Sequence, residues 1–426
     1  MPFSLSEHFI AKGRFCCEIP YQKMWLILYN LNMESIRDIF ITGYGPSSSH
    51  TIAPAKAVEY LLNKYEDIEK AEVTLFGSLA LTGIGHGTDA IIKKVFSPIP
   101  CNVIADSKKK KKHINTMEFV LTTPKGIIKE TIVSIGGGSI LTEEDKDKKP
   151  VDIYPSHTLA QILRECIDSG VSLSDYVIAH EGEEILTYLK NVLHVMEDNI
   201  ESGLHKEGYL PGPFKIKRRA KDIYEESMRR SSSPEYCVMA SAFAVAEENA
   251  SGSIVTTAPT CGSCGVIPGA ITYLRLRGVE EKKIIEGLCV AGIIGKVIKT
   301  NATVSGAVGG CQAEIGSATA MAAAMISSCF DEPIKSVAQA AEIALEHSLG
   351  LTCDPVGGYV LIPCIERNAI YAVKAINCAR LSAITNPAES KVHFDEIVET
   401  MYQTGLDMNQ GYKETSTKGL SKLNIC

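Results

Sequence analysis

The sequence predicts an α+β fold: an N-terminal α/β domain followed by a C-terminal all-helical domain. Two observations predict it. From residue 33 to about 160, β-branched runs bounded by glycine alternate with short stretches of helical spacing. From about 180 to 420 the strand signal all but vanishes, and apolar residues return every three or four positions. The chain has 426 residues, 45% of them hydrophobic, enough to bury the cores of two ordinary domains.

Taken in order, residues 1–32 hold the only Trp and a Cys-Cys pair without a clear period, and read as an N-terminal extension. Met33 makes a fresh start. "AEVTLFGSLAL" (71–81) and "GIIKETIVSIGGG" (126–138) are predicted strands, and "TDAIIKKVF" (88–96) a helix. "SIGGGS" (134–139) lacks the spacing of a nucleotide-binding loop and reads as a strand-end turn. "PSHTLAQILRECIDSG" (155–170) is a helix with Ser156 and Thr158 as candidate N-caps and Gly170 at its end. The domains are thus 33–160 (α/β) and 180–420 (helical), with 421–426 as a tail. Helices such as "EKKIIEGLCVAGIIGKVIK" and "EIGSATAMAAAMISSC" are rich in Ala, Gly and Ser, so they belong in the middle of a bundle, where backbones come close.

Composition excludes some functions. The net charge of −7 argues against a nucleic-acid binder, and "SKKKKKH" (107–113) reads as a solvated surface loop. No run of about 18 apolar residues predicts a membrane span, and no secretory leader is evident. The chain looks cytosolic, so its 14 cysteines read as metal ligands, catalytic groups or small buried hydrophobes rather than disulfides.

Five cysteines sit beside Gly, Pro or Asp at predicted element edges: Cys261, Cys264, Cys311, Cys353 and Cys364. They suggest a thiolate site of three to five ligands, for zinc or an iron–sulfur cluster. Cys311 and Cys364 precede predicted helices, whose N-termini lower a thiol's pKa. Cys289, Cys329 and Cys378 lie in apolar helices and read as core. "GYGPSSSHT" (43–51) places hydroxyls and an imidazole at a helix start, and "GHGTD" (85–89) repeats the theme. His50 and His86 are candidate acid/base groups. Arg367 is a candidate carboxylate binder, and Asn301 lies in a turn suited to a small polar ligand.

These stretches together resemble the iron–sulfur-dependent L-serine dehydratases of bacteria, in their single-chain form. The resemblance runs from Met33 to the last residue. It is carried by "GPSSSHT", "FGSLALTGIGHGTD", "AVAEENASG", "APTCGSCGVIPG", "NATVSGAVGGCQAEIGSATAMAAA", "GLTCDPVGGYVLIPCIERNA" and "MYQTGLDMNQGYKETSTKGL". It implies a first domain like the allosteric substrate-binding domain of some phosphoglycerate dehydrogenases. It implies a helical domain holding a 4Fe-4S cluster on Cys311, Cys353 and Cys364, with the fourth iron open to substrate. Cys426 matches a C-terminal cysteine that can occupy that iron at rest. A cytoplasmic, oxygen-sensitive homodimer in serine catabolism, feeding pyruvate and gluconeogenesis, is the family expectation.

The implied reaction converts L-serine to pyruvate and ammonia. The open iron acts as Lewis acid on the β-hydroxyl, and His50 or His86 takes the α-proton. Ser47, Ser48, Ser49 and Thr51 are then expected to bind substrate, their hydroxyls and the amides of the helix start suiting its carboxylate. A related lyase, an amino-acid sensor and a pyridoxal-phosphate dehydratase are the alternatives.

Overall fold

The computed structural model describes residues 33–146, 152–230, 233–415 and 417–423. The extension 1–32 and Cys426 lie outside them. The fold is α+β, as the sequence predicts: a mixed sheet in the N-terminal region and a helical C-terminal region.

The chain enters through Met33–Phe40 and a short strand β1 (Thr42–Tyr44). A π-helical turn (Ser48–Ile52) leads into α1 (Ala53–Lys64), so the helix begins earlier than its apolar pattern suggests. Strand β2 (Lys70–Phe76) is followed by α2 (Ser78–His86) and α3 (Thr88–Phe96). The expected strand 71–81 thus stops at Phe76, and its second half is helix. The break comes at Gly77, whose φ of 56° turns the chain. Then come β3 (Cys101–Asp106), β4 (Thr116–Thr123), β5 (Gly126–Gly136) and β6 (Ser139–Leu141). The sheet order is β3-β2-β4-β5-β6, with only the β2–β3 pair parallel. Its core joins Val73, Leu75, Phe119 and Leu121 to Val58, Leu61, Leu79, Ile92 and Phe96 of α1–α3. The triple glycine is the β5–β6 turn, all three residues at positive φ.

The helical region comprises α4 (Leu159–Ser169), α5 (Leu173–Glu181), α6 (Glu184–His205), α7 (Ala220–Arg230) and α8 (Pro234–Ala250). After strand β7 (Ile254–Thr256) come α9 (Val266–Leu276), α10 (Glu281–Asn301), a single turn α11 (Gly306–Gly309) and α12 (Ser317–Cys329). The last are α13 (Ile334–Glu346), α14 (Cys364–Ile384) and α15 (Phe394–Asp407). Thr158 caps α4 in a capping box with Gln161, and Gly170 ends it in the left-handed region, while Ser156 bonds Glu165 instead. The Ala- and Gly-rich α10 and α12 are central and almost wholly buried. Cys289, Cys329 and Cys378 are core, as expected.

One segment departs from the expected division. Met33, Ile36, Ile39 and Phe40, apolar at helical spacing, pack into the helical core rather than against the sheet. A Cβ on Gly292 of α10 would meet Ile36 Cδ1 at 2.7 Å, so α10 is indented to receive them. Buried Glu181 accepts from Ile36 N–H at 2.7 Å and Ser35 Oγ at 2.7 Å. Strand β1 then pairs with β7 of the helical region, Thr42 opposite Thr256.

Candidate active site

Two groups of residues converge where the regions meet. The first is built on the π-turn and α2. His50 and His86 are both buried and stack with ring centroids 4.4 Å apart. Their tautomers follow from their partners. Thr82 Oγ1 lies 2.9 Å from both the Ser78 carbonyl and His50 Nε2. The carbonyl only accepts, so the Thr82 proton goes there and His50 Nε2 must donate. Ser78 Oγ, 3.3 Å from the same nitrogen, spends its proton on the Glu414 carbonyl. His50 Nδ1 therefore carries the lone pair, and it accepts from Ser49 Oγ at 2.8 Å. His86 Nδ1 lies 2.9 Å from the Thr82 carbonyl and must donate. Its Nε2 is left bare, with no hydrogen-bond partner among the described residues.

Burial lowers both imidazoles' pKa: His86 to about 4, against the pull of the Thr82 carbonyl, and His50 well below its usual value, helped by His86. Both rings are neutral at pH 7. His86 also lines a cavity of about 420 Å³, with Tyr44, Thr51, Gly85, Gly252 and Tyr359 among its walls. The glycines of "GIGHG" serve this approach: a Cβ on Gly85 would meet the Gly358 carbonyl at 3.0 Å.

The serine run bonds mostly within itself. Ser47 Oγ accepts from His50 N–H at 3.3 Å, and Thr51 Oγ1 bonds the Tyr44 and Ser47 carbonyls. Among the described residues, Ser48 alone of the three serines has no side-chain hydrogen bond.

The second group holds the thiols. Cys311 opens the turn into α12, Cys364 opens α14, and Cys353 sits in the loop between α13 and α14. Cys353 feels the charge of Cys311 and Cys364, Cys364 feels that of Cys311, and burial raises all three thiols' pKa. The lowering expected from helix N-termini is overridden by desolvation. Arg367 bonds the Cys311 thiol and donates to the Thr352 carbonyl at 2.8 Å, so its charge faces the sulfurs rather than the cavity. Among the described residues, only His50, His86 and Glu414 bring three ligand atoms within 4.8 Å of one another. The three sulfurs are spread wider than a single zinc shell, whose sulfurs stand ~3.8 Å apart. Cys261 and Cys264 are fully buried in the seam between the regions, and Cys261 feels Glu314.

Two carboxylates link the groups, and neither was singled out in the sequence. Glu314 accepts from the Cys353 thiol at 3.4 Å and from Thr260, and burial raises its pKa. Glu414 Oε1 lies 3.6 Å from His50 Nδ1 and 3.5 Å from Ser49 Oγ. Burial, with Glu314 beside it, pushes it up to about 8. A signal existed for Glu314: it is the sole charge in "GCQAEIGSATAMAAAM". For Glu414 nothing local marks its burial. Asn301 is not brought to the site; it is exposed, and its amide donates to the His157 and Val297 carbonyls.

The comparisons identify the family. Residues 63–421 match the family described as "Serine dehydratase alpha chain". The chain is 39% identical to L-serine dehydratase 2 of Escherichia coli, over 92% of this chain and 100% of that protein. It is 38% identical to the L-serine dehydratase of Haemophilus influenzae, with the same coverage. It is 36% identical to that of Helicobacter pylori, over 92% of this chain and 99% of the other. With relatives matched end to end and both residue groups assembled at one seam, the chain belongs to the serine dehydratase family.

Proposed function

We propose that this protein is a lyase that converts L-serine to pyruvate and ammonia. One observation carries the reading: His86, a neutral imidazole on a cavity wall, stands beside Glu414, whose backbone N–H in turn bonds Cys353 of the thiol group. The relatives named L-serine dehydratase support the substrate.

The donor set fits a 4Fe-4S cluster better than one ion. Three thiols come from the turn into α12, the α13–α14 loop and the first residue of α14, are spread wider than a mononuclear shell, and have one guanidinium to balance their charge. Cys311, Cys353 and Cys364 would hold it; when bound, the cluster supplies a Lewis-acidic iron for the β-hydroxyl.

The chain's own residues do the rest. His86 Nε2 takes the α-proton, while the Thr82 carbonyl fixes the ring through Nδ1–H. Burial keeps that base neutral without titration near pH 7. His50 is the positioning partner: it stacks on His86 and accepts from Ser49, so it orients the serine run. Ser48 and the turn's backbone amides offer donors to the carboxylate. Ser47 and Thr51 hold the turn in shape. Elimination of water gives an aminoacrylate, which hydrolyses to pyruvate and ammonia.

In this reading the α/β and helical parts are two working units meeting at the histidine pair. A cytoplasmic homodimer serving serine catabolism and gluconeogenesis completes it. No helix among the described residues is long and apolar enough to cross a membrane.

The test is anaerobic purification, with iron and sulfide quantified and pyruvate release from L-serine assayed before and after air. About four irons per chain with air-sensitive turnover is expected. Turnover that survives complete iron removal would refute the cluster.

A further inference from the structure

The site is short of positive charge. Among the described residues, the one ion-pair partner within 4.0 Å of Glu414 is His50, and that imidazole is kept neutral by burial. The charged neighbour that acts on Glu414 most is Glu314, of the same sign. Arg367 faces the thiols. A carboxyl buried without a cation gives up its charge readily, and folds retain one where an incoming cation can restore that charge.

Its backbone supports that view. Glu414 has φ 56°, in the left-handed region that non-glycine residues avoid. It is held there from both sides: its N–H donates to the Cys353 carbonyl at 2.6 Å, and its carbonyl accepts from Ser78 Oγ at 3.0 Å. Backbone strain of this kind clusters at ligand sites.

We propose that Glu414 receives the α-ammonium group of the amino-acid substrate. The inference rests on the serine-dehydratase reading and names the group that recognises the amine. The α-proton and the ammonium sit on the same carbon. Their acceptors must therefore stand about 5 Å apart, given ordinary hydrogen-bond reach. A Glu414 oxygen and a His86 ring nitrogen lie within 4.8 Å of each other. The ammonium supplies the missing counter-charge, and the α-hydrogen then falls to His86. Glu414 is thus the residue that separates an amino acid from the hydroxy acid of the same skeleton.

The test compares L-serine with L-glycerate, which carries a hydroxyl in place of the ammonium. Binding is read on the anaerobic holoenzyme as the ligand-induced rise in melting temperature, alongside KM and kcat for L-serine. Glu414→Gln is expected to weaken L-serine about 10- to 100-fold, the worth of one charge-assisted hydrogen bond, and to leave L-glycerate unchanged. Glu414→Asp, which keeps the charge, is expected to retain most of the preference. Iron and sulfide equal to wild type show that a variant is intact; if the Gln variant is not, the Asp variant carries the test through its smaller loss on L-serine alone. A Gln variant with the wild-type serine-to-glycerate ratio overturns the proposal. So does one that weakens both ligands equally, or that lowers kcat alone, since each assigns Glu414 a positioning role. A wild-type enzyme that neither binds nor deaminates L-serine overturns the parent reading instead.

Discussion

His86 differs from His50 in having one ring nitrogen without a hydrogen-bond partner among the described residues. His50 spends its lone pair on Ser49, whereas His86, a residue of the cavity wall, keeps that of Nε2. Replacing His86 by Gln is expected to lower kcat by about 10²- to 10⁴-fold, the range of a lost general base. Because the His86 pKa lies near 4, this base itself should add no inflection to kcat/KM at the ordinary histidine pKa, only an acid limb toward 4. The stability consequence has a definite sign. Folded His86 resists protonation while the unfolded residue accepts a proton near its usual pKa. Stability is therefore lost as pH falls from about 6.5 to about 4, by about 3 kcal/mol for this residue. Urea titrations across that window measure it. At this scale the sequence offered both histidines, the serine run and five edge cysteines as candidates, and the family resemblance narrowed the thiols to three. It could not show which imidazole is bare, because tautomers are set by Thr82 and Ser78, whose roles exist only once α2 is folded.

At the scale of elements, close approach decides several positions. On α6, a Cβ on Gly203 would lie 2.5 Å from the Ala244 carbonyl oxygen of α8. Alanine raises helix propensity by about 1 kcal/mol, but a backbone clash in a tight crossing costs about 1–3 kcal/mol. The clash wins, so Gly203→Ala is expected to lower the melting temperature by a few degrees, readable by calorimetry. Boundaries were legible where local chemistry sets them, as at Thr158 and Gly170 of α4. They were not legible at Gly77, where β-branched and apolar residues continue past the strand but the chain folds back as α2.

Among the described residues there are two large cores with a small apolar cluster in the seam between them, and the histidines stand on elements of the smaller large core. Phe119 is fully buried at the centre of the sheet core. Truncating it to Ala removes about 3–5 kcal/mol from that core alone. Phe119→Ala is expected to abolish activity while the helical circular dichroism and bound iron persist; loss of both together would mean the regions unfold as one. The α+β division was readable from periodicity, but the berth of Met33–Phe40 was not. Its partners lie on helices more than a hundred residues away, and apolar spacing does not say which core a segment joins.

That berth has a consequence for how the protein is made. Met33–Phe40 leaves the ribosome early, yet the groove that receives it, against Glu181 and Gly292, is synthesised far later. The sheet core can close on the nascent chain, but its leading segment must wait for α10. The same threading works as a clasp. A nick between residues 146 and 152 would leave two fragments still fastened together, because the first keeps its own leader buried inside the second.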